Sequence, residues 1–242
     1  MILEFPGTRG EIEESSRSHK YHSSLIISYK DTSILIDYGE KHNPALEKII
    51  NTFDSLFITH AHPDHYIWTI KEDQSVIIPV CLTRTTYDYS QHKPVNPVII
   101  KEEEKIDFRD LRITPLKVIH SFRCPAVCYR IEADKNIIYA PDLIDMENGK
   151  DNAFNGLDYL VADGSSVYTN MVRNKDGRLF GHTMIKTVIN WCKEYNIKNL
   201  IITHCGKQLV TMDEKDLDKK IEQYAGGAVK VTVAYDGFRT RL

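Results

Sequence analysis

No stretch of this 242-residue chain approaches the roughly 18 consecutive apolar residues of a membrane-spanning helix. The opening segment MILEFPGTRGEIEESS lacks the basic stretch and following apolar run of a secretory signal. These absences predict a cytoplasmic protein with no membrane partner. Cysteine is sparse and odd in number. Cys81, Cys124, Cys128, Cys192 and Cys205 are scattered along the chain, which suits reduced thiols better than a disulfide framework. Cys124 and Cys128 form one CxxxC with no second pair nearby, so buried thiols are a better reading than a structural zinc. Neither sign of charge dominates. With 31 Lys and Arg against 34 Asp and Glu the net charge is -3, giving no global attraction to nucleic acid or to an anionic membrane. Any phosphate-bearing ligand must be held by local charge. No repeat, low-complexity tract or linker rich in Pro, Gly or Ser interrupts the sequence, so 1–242 reads as one α/β domain.

What is present is a succession of short apolar runs bounded by Asp, Asn, Gly, Lys or Pro. They predict strands at Ser24 to Tyr29, Ser33 to Asp37, Ser55 to Thr59, Ser75 to Val80, Pro97 to Lys101, Leu111 to Val118, Ala126 to Glu132, Asn136 to Ala140, Leu157 to Ala162, Lys198 to Thr203 and Val229 to Tyr235. Helices are fewer: Thr183 to Tyr195, where Met184, Val188, Trp191, Cys192 and Tyr195 share a face, then Pro44 to Asn51 and Asp213 to Tyr224. The early half reads as hairpin-like strands and the late half as alternating strand and helix. Two packed sheets with outer helices accommodate both. The charged segment Lys101 to Lys105 reads as a solvated turn.

The segment THAHPDH, Thr59 to His65, crowds titratable side chains onto the end of the apolar run Leu56-Phe57-Ile58. Residues leaving a buried strand enter a loop where polar groups escape the core. In an extended segment His60 and His62 point the same way, while Pro63 bends the chain before Asp64 and His65. Two imidazoles cannot close a four-coordinate metal site, so further ligands must come from afar. Three more apolar runs end in one ligand-capable residue each: Leu116 to Ile119 before His120, Ile137 to Ala140 before Asp142, and Leu200 to Thr203 before His204. Strand ends can gather at one sheet edge.

With these residues the sequence resembles the metallo-β-lactamase superfamily, whose HxHxDH signature stands here as His60-Ala61-His62-Pro63-Asp64-His65. Its later His, Asp and His match His120, Asp142 and His204, and its early Asp-x-Gly matches Asp37-Tyr38-Gly39. The resemblance runs from about Ser24 to the C-terminus. It implies a four-layer αββα sandwich with two divalent metal ions, Zn²⁺ by preference, with Mn²⁺ or Fe²⁺ compatible with the same donors. His60, His62 and His120 would hold one metal, Asp64, His65 and His204 the other, and Asp142 would bridge them. Asp37 would support a ligand rather than be one. After His65 the chain reads Tyr66-Ile67-Trp68 where the superfamily commonly has a glycine, which predicts a bulkier pocket floor.

Two such cations make a hydroxide available near neutral pH, and the superfamily turns it on β-lactams, thioesters, lactones and phosphodiesters. His182, just before the best helix and 22 residues before His204, resembles the histidine of the tRNase Z-like phosphodiesterase branch that contacts the scissile phosphate. Ala162-Asp163-Gly164-Ser165 matches that branch's acidic motif, so Asp163 would hold His182 protonated. Asp64, His182 and Asp163 form the expected catalytic set. Ala162 and Met184 depart from the branch pattern, and the 22 residues between His120 and Asp142 leave no room for a tRNA-gripping arm. The implied function is a dimetal phosphodiesterase acting on a cyclic nucleotide, a cyclic phosphate or a short oligonucleotide through a metal-bridging hydroxide. Long nucleic acid is disfavoured. The alternative is a lactone or thioester hydrolase on the same metals. Arg123, Arg173, Lys175 and Arg178 are candidate phosphate contacts, Tyr168 and Phe180 candidate base contacts, and the family suggests a homodimer.

Overall fold

The structure is a computed structural model describing residues 1–242. The first half runs β1 (Ile2–Gly7), β2 (Ser24–Tyr29), β3 (Thr32–Ile36), α1 (Pro44–Ile49), β4 (Ser55–Phe57), β5 (Val80–Thr83), α2 (Arg84–Tyr89), β6 (Pro97–Ile100), β7 (Ile106–Phe108) and β8 (Leu111–Ile119). The second half runs β9 (Ala126–Glu132), β10 (Asn136–Ala140), β11 (Asp145–Met146), α3 (Lys150–Phe154), β12 (Tyr159–Asp163), β13 (Arg173–Lys175), β14 (Arg178–Phe180), α4 (Ile185–Glu194), β15 (Asn199–Thr203), α5 (Lys207–Thr211), α6 (Glu214–Ala225), β16 (Lys230–Val233) and β17 (Phe238–Arg241).

Two large sheets result. One has the order β17-β1-β2-β3-β4-β5-β6, the other β11-β8-β9-β10-β12-β15-β16 with β7 paired to β8. Period-two alternation assigns every central strand two buried faces. Leu25, Ile27, Ile34 and Ile36 of the first sheet meet Tyr129, Ile137, Tyr139, Val161 and Ile201 of the second in a shared inner core. The intervening Ile26 and Leu35 face α1 and Trp68 on the first sheet's outer side. Ile138, Leu160 and Ile202 face Val188, Trp191, Leu217 and Ile221 of α4 and α6 on the second sheet's outer side. The layers are therefore helix, sheet, sheet, helix, the expected αββα sandwich.

The sequence reading shifts in four places. The first half is not all hairpins, because β3, β4, β5 and β6 pair in parallel. The strand expected at Ser75 to Val80 begins only at Val80: Val76 and Ile78 are buried and Ile77 is exposed, but the ladder starts after Pro79, which has no N–H to give it. β1 and β17 were not anticipated and pair with each other antiparallel. Tyr66, Ile67 and Trp68 are fully buried in the first sheet's outer core rather than in a pocket floor. All five cysteines are free and buried. No helix is long and apolar enough to cross a membrane.

Candidate metal centre

Six of the strands deliver their next residues to one edge of the sandwich. Asp37 follows β3, the Thr59 to His65 loop follows β4, His120 follows β8, Asp142 lies just beyond β10, Asp163 ends β12, and His204 follows β15. β4 is flanked in parallel by β3 and β5, and β15 by β12 and β16, so these chain ends share a direction. That is why residues 140 positions apart, Asp64 and His204, come within 3.1 Å.

All seven sequence-predicted ligands are brought together. His62 Nδ1 lies 2.9 Å from His60 Nε2 and 3.3 Å from His120 Nε2, close to the ~3.3 Å edge of a tetrahedron with metal–nitrogen bonds near 2.05 Å. Asp64 Oδ2 lies 3.2 Å from His65 Nε2. Asp142 stands between the two groups, with Oδ2 2.7 Å from His65 Nε2 and 3.4 Å from His204 Nε2, and Oδ1 3.8 Å from His120 Nε2. The donor atoms of His60, His62 and His120 lie within 4.8 Å of one another, as do those of Asp64, His65 and His204.

In four of the five candidate ligand histidines, all but His62, the nitrogen turned away from this centre is occupied. His65 Nδ1–H donates to Asp37 Oδ2 at 2.8 Å, and His60 Nδ1–H to Thr59 Oγ1 at 3.0 Å. Thr59 passes its own hydroxyl and backbone N–H to Asp37. His120 Nδ1–H donates to the Gly181 carbonyl at 3.0 Å, and His204 Nδ1–H to Ser165 Oγ at 3.1 Å. Such bonds fix the tautomer that presents a lone pair at Nε2. Asp37 thus plays the supporting part geometrically, held at φ +64° so that its carboxylate turns back under the loop.

The donor set calls for cations. His65 Nε2 and Asp142 Oδ2 are buried and approach to 2.7 Å, yet not along an N–H direction, so neither has a hydrogen-bond partner. Two buried polar atoms left without a hydrogen bond at this separation fit a bound ion. Burial holds His60 well below the usual imidazole range and His120 down to about 4, leaving both neutral as a ligand must be. Burial opposes charge on His204, but the carboxylates of Asp142, Asp64 and Asp163 push it up to about 10. Burial likewise opposes charge on His65, but Asp64, Asp37 and Asp142 hold its pKa well above the usual range, so without a cation protons on His65 and His204 would offset these carboxylates, a part that a bound divalent ion would take over.

His182 stands at the cavity wall beside this cluster. Its Nδ1–H donates to Asp163 Oδ2 at 2.8 Å and lies 3.3 Å from Asp142 Oδ1. Burial works against its charge, but Asp163 raises its pKa above the ordinary value. It does not cap α4, whose N-cap is Met184. Ser165, quoted in the motif but given no role from sequence, holds Nδ1 of both His182 and His204 at 3.1 Å.

Asp64, Asp142, His182 and His204 open onto a cavity of about 590 Å³ whose other walls include Gly10, Glu11, Thr169, Arg173, Lys207 and Gln208. Of the proposed phosphate contacts only Arg173 reaches it. Arg178 lines a neighbouring cavity, Lys175 is exposed nearer the ribbon's turn and lines neither cavity, and Arg123 sits over the Phe122 ring. Phe180 packs edge-to-face on Phe122 with ring centroids 5.4 Å apart, so it is not a free stacking surface. Glu11, Lys207 and Gln208 were missed by sequence. Lys207 carried a weak signal, three residues after His204.

A family model described as the beta-lactamase superfamily domain matches residues 32–205. The chain belongs to this superfamily. Its match begins eight residues later than the sequence resemblance suggested and ends one residue after His204. Solved structures of superfamily fold align over almost the whole chain. Zn(2+)-bound PqqB from Methylobacterium extorquens has TM-score 0.71, 16% identity and 100% coverage of both chains. A diphosphatase from the PhnP family has TM-score 0.69 and 14% identity, covering 100% of this chain and 97% of that one. The short form of human tRNase Z has TM-score 0.64 and 14% identity, covering 100% and 99%. No curated protein matches the sequence.

Proposed function

We propose that the protein is a dinuclear metal-dependent phosphodiesterase acting on a small phosphodiester, with His60, His62 and His120 holding one cation, Asp64, His65 and His204 the other, and Asp142 between them. The all-nitrogen and oxygen donor set suits Zn²⁺, and Zn(2+)-bound PqqB, which shares the fold, agrees with that choice. When bound, the pair of cations supplies an activated water and offsets negative charge on the attacked group.

The observation that carries the reading is the 2.8 Å contact between His182 and Asp163 at the wall of the metal cavity. A thioester needs no such acid beside the metals, because its thiolate departs without a proton. An alkoxide leaving a phosphodiester does, because it is a poor leaving group until protonated. His182 spends Nδ1–H on Asp163, and its other ring nitrogen makes no bond within the protein. That nitrogen would give its proton to the departing oxygen as the P–O bond breaks, while Asp163 and Ser165 keep the ring in register. A diphosphatase and tRNase Z, whose names both denote cleavage of phosphate-linked compounds, share the fold.

The test is a panel of cyclic nucleotides, cyclic phosphates, dinucleotides and bis(p-nitrophenyl) phosphate, with metal analysis on wild type and His182→Ala. Wild type is expected to cleave diesters with alkoxide leaving groups. His182→Ala should lower those rates by ~10²–10⁴-fold with metal content unchanged, and lower p-nitrophenolate release much less, since that leaving group departs without a proton. Rapid opening of lactones or thioesters with every diester inert would overturn the proposal.

A further inference from the structure

β13 and β14 form a two-stranded ribbon that belongs to neither large sheet. Asp176 at φ +52° and Gly177 at φ +78° close it in a tight turn between the paired Lys175 and Arg178, as a two-residue hairpin requires. Its strands are solvent-exposed except at Phe180. Its foot, however, is fixed. Phe180 packs on Phe122, and Gly181 both donates its N–H to the His120 carbonyl and accepts the His120 Nδ1–H. Arg173 pairs across the ribbon with Phe180, two residues from His182.

We infer that Arg173 forms a subsite for a second anionic group of the substrate, next to the scissile phosphate on the side where His182 stands. This rests on the phosphodiesterase reading above. Arg173 lines the cavity that holds Asp64, His182 and His204. The other cation of that cavity, Lys207, is ion-paired with Glu14, whereas Arg173 has no carboxylate partner. Glu11, on the N-terminal wall, disfavours an anion there. The free guanidinium therefore marks the one wall where a second phosphate gains a planar, two-pronged donor. At about 590 Å³ the cavity has room for more than a single phosphate group. The substrate class is a small diester that carries a further phosphate, such as a terminally phosphorylated dinucleotide.

The experiment compares kcat/KM of the metal-loaded protein for ApA, pApA, ApAp and bis(p-nitrophenyl) phosphate in wild type, Arg173→Ala, Arg173→Lys and Lys175→Ala. Wild type is expected to favour one of the two phosphorylated dinucleotides over ApA by about tenfold or more. Arg173→Ala should erase that preference, Arg173→Lys should keep part of it, and Lys175→Ala, which removes the same charge from the ribbon outside the cavity, should keep it within about twofold. Equal rates for ApA and both phosphorylated forms, or an equal loss from Arg173→Ala and Lys175→Ala, would overturn the inference. Equilibrium dialysis with adenosine 3′,5′-bisphosphate separates it from the reading it rests on. If no diester is cleaved but Arg173→Ala weakens this binding about tenfold, the subsite stands and the phosphodiesterase reading fails. If binding is unaffected, the subsite fails as well.

Discussion

His22 has a fully buried imidazole. Its Nδ1 accepts the Lys41 N–H, so Nε2 carries a hydrogen that makes no hydrogen bond, although a Glu11 carboxylate oxygen stands 3.5 Å away. Burial pushes its pKa down to about 3, against ~6.5 for an exposed imidazole. Between those values the unfolded chain binds a proton that the native one refuses, so stability is complete above about pH 6.5 and is lost as pH falls toward 3. This one residue should cost up to about 2 kcal/mol between pH 7 and pH 5. Urea denaturation at both pH values should show a smaller drop for His22→Asn, whose side-chain oxygen can still accept from Lys41. An equal drop in both proteins would show that native His22 binds its proton as readily as the unfolded chain does, and that its pKa is not depressed. The candidate ligands were readable from sequence because each is a polar residue in a segment that follows an apolar run. Ser165 and Glu11 were not, since a serine after a strand or a glutamate in a polar N-terminal segment is ordinary until the chain is folded.

At the level of elements, the central strands were legible because both their faces are buried and each alternate residue serves a different core. The edges were not. β1 and β17 alternate Leu3 and Phe5 with Glu4, and Phe238 and Thr240 with Arg239, a pattern that exposed segments also show. The ribbon's three-residue strands carry little apolar signal, although Asp176-Gly177 was a turn signature. The strand-to-loop joints are tight. A Cβ on Gly39 would lie 1.9 Å from the Asp64 carbonyl oxygen, while Tyr38 N–H and Glu40 N–H anchor the same loop at His65 and Pro63. Backbone cannot yield there as a flexible side chain would. Gly39→Ala should therefore displace the Asp64–His65 segment and cut bound metal to well below two equivalents, measured by metal analysis of the purified protein. Retention of full metal content would show that the loop shifts without moving its side chains.

For the whole molecule, the metals should act as a fastener between the two sheets, because Asp64 and His65 extend from the first and His120, Asp142 and His204 from the second. A cation bound only in the native state stabilises it by mass action, about 4 kcal/mol when free metal exceeds its dissociation constant a thousandfold. Dialysis against a chelator should lower the thermal midpoint by several degrees, and restored zinc should recover it. An unchanged midpoint would mean that the donors contribute nothing to cohesion. The free-standing ribbon carries a different consequence. A nick between Lys175 and Asp176 would split the chain into two pieces that interlock twice over, since the C-terminal piece supplies β15 beside β12 and β17 beside β1. The N-terminal piece would keep His60, His62 and His120, while His182 and His204 would travel with the other. Neither fragment could complete the proposed catalytic constellation by itself, so the turn of the ribbon is the natural seam for a two-part reporter whose hydrolysis returns only on reassembly.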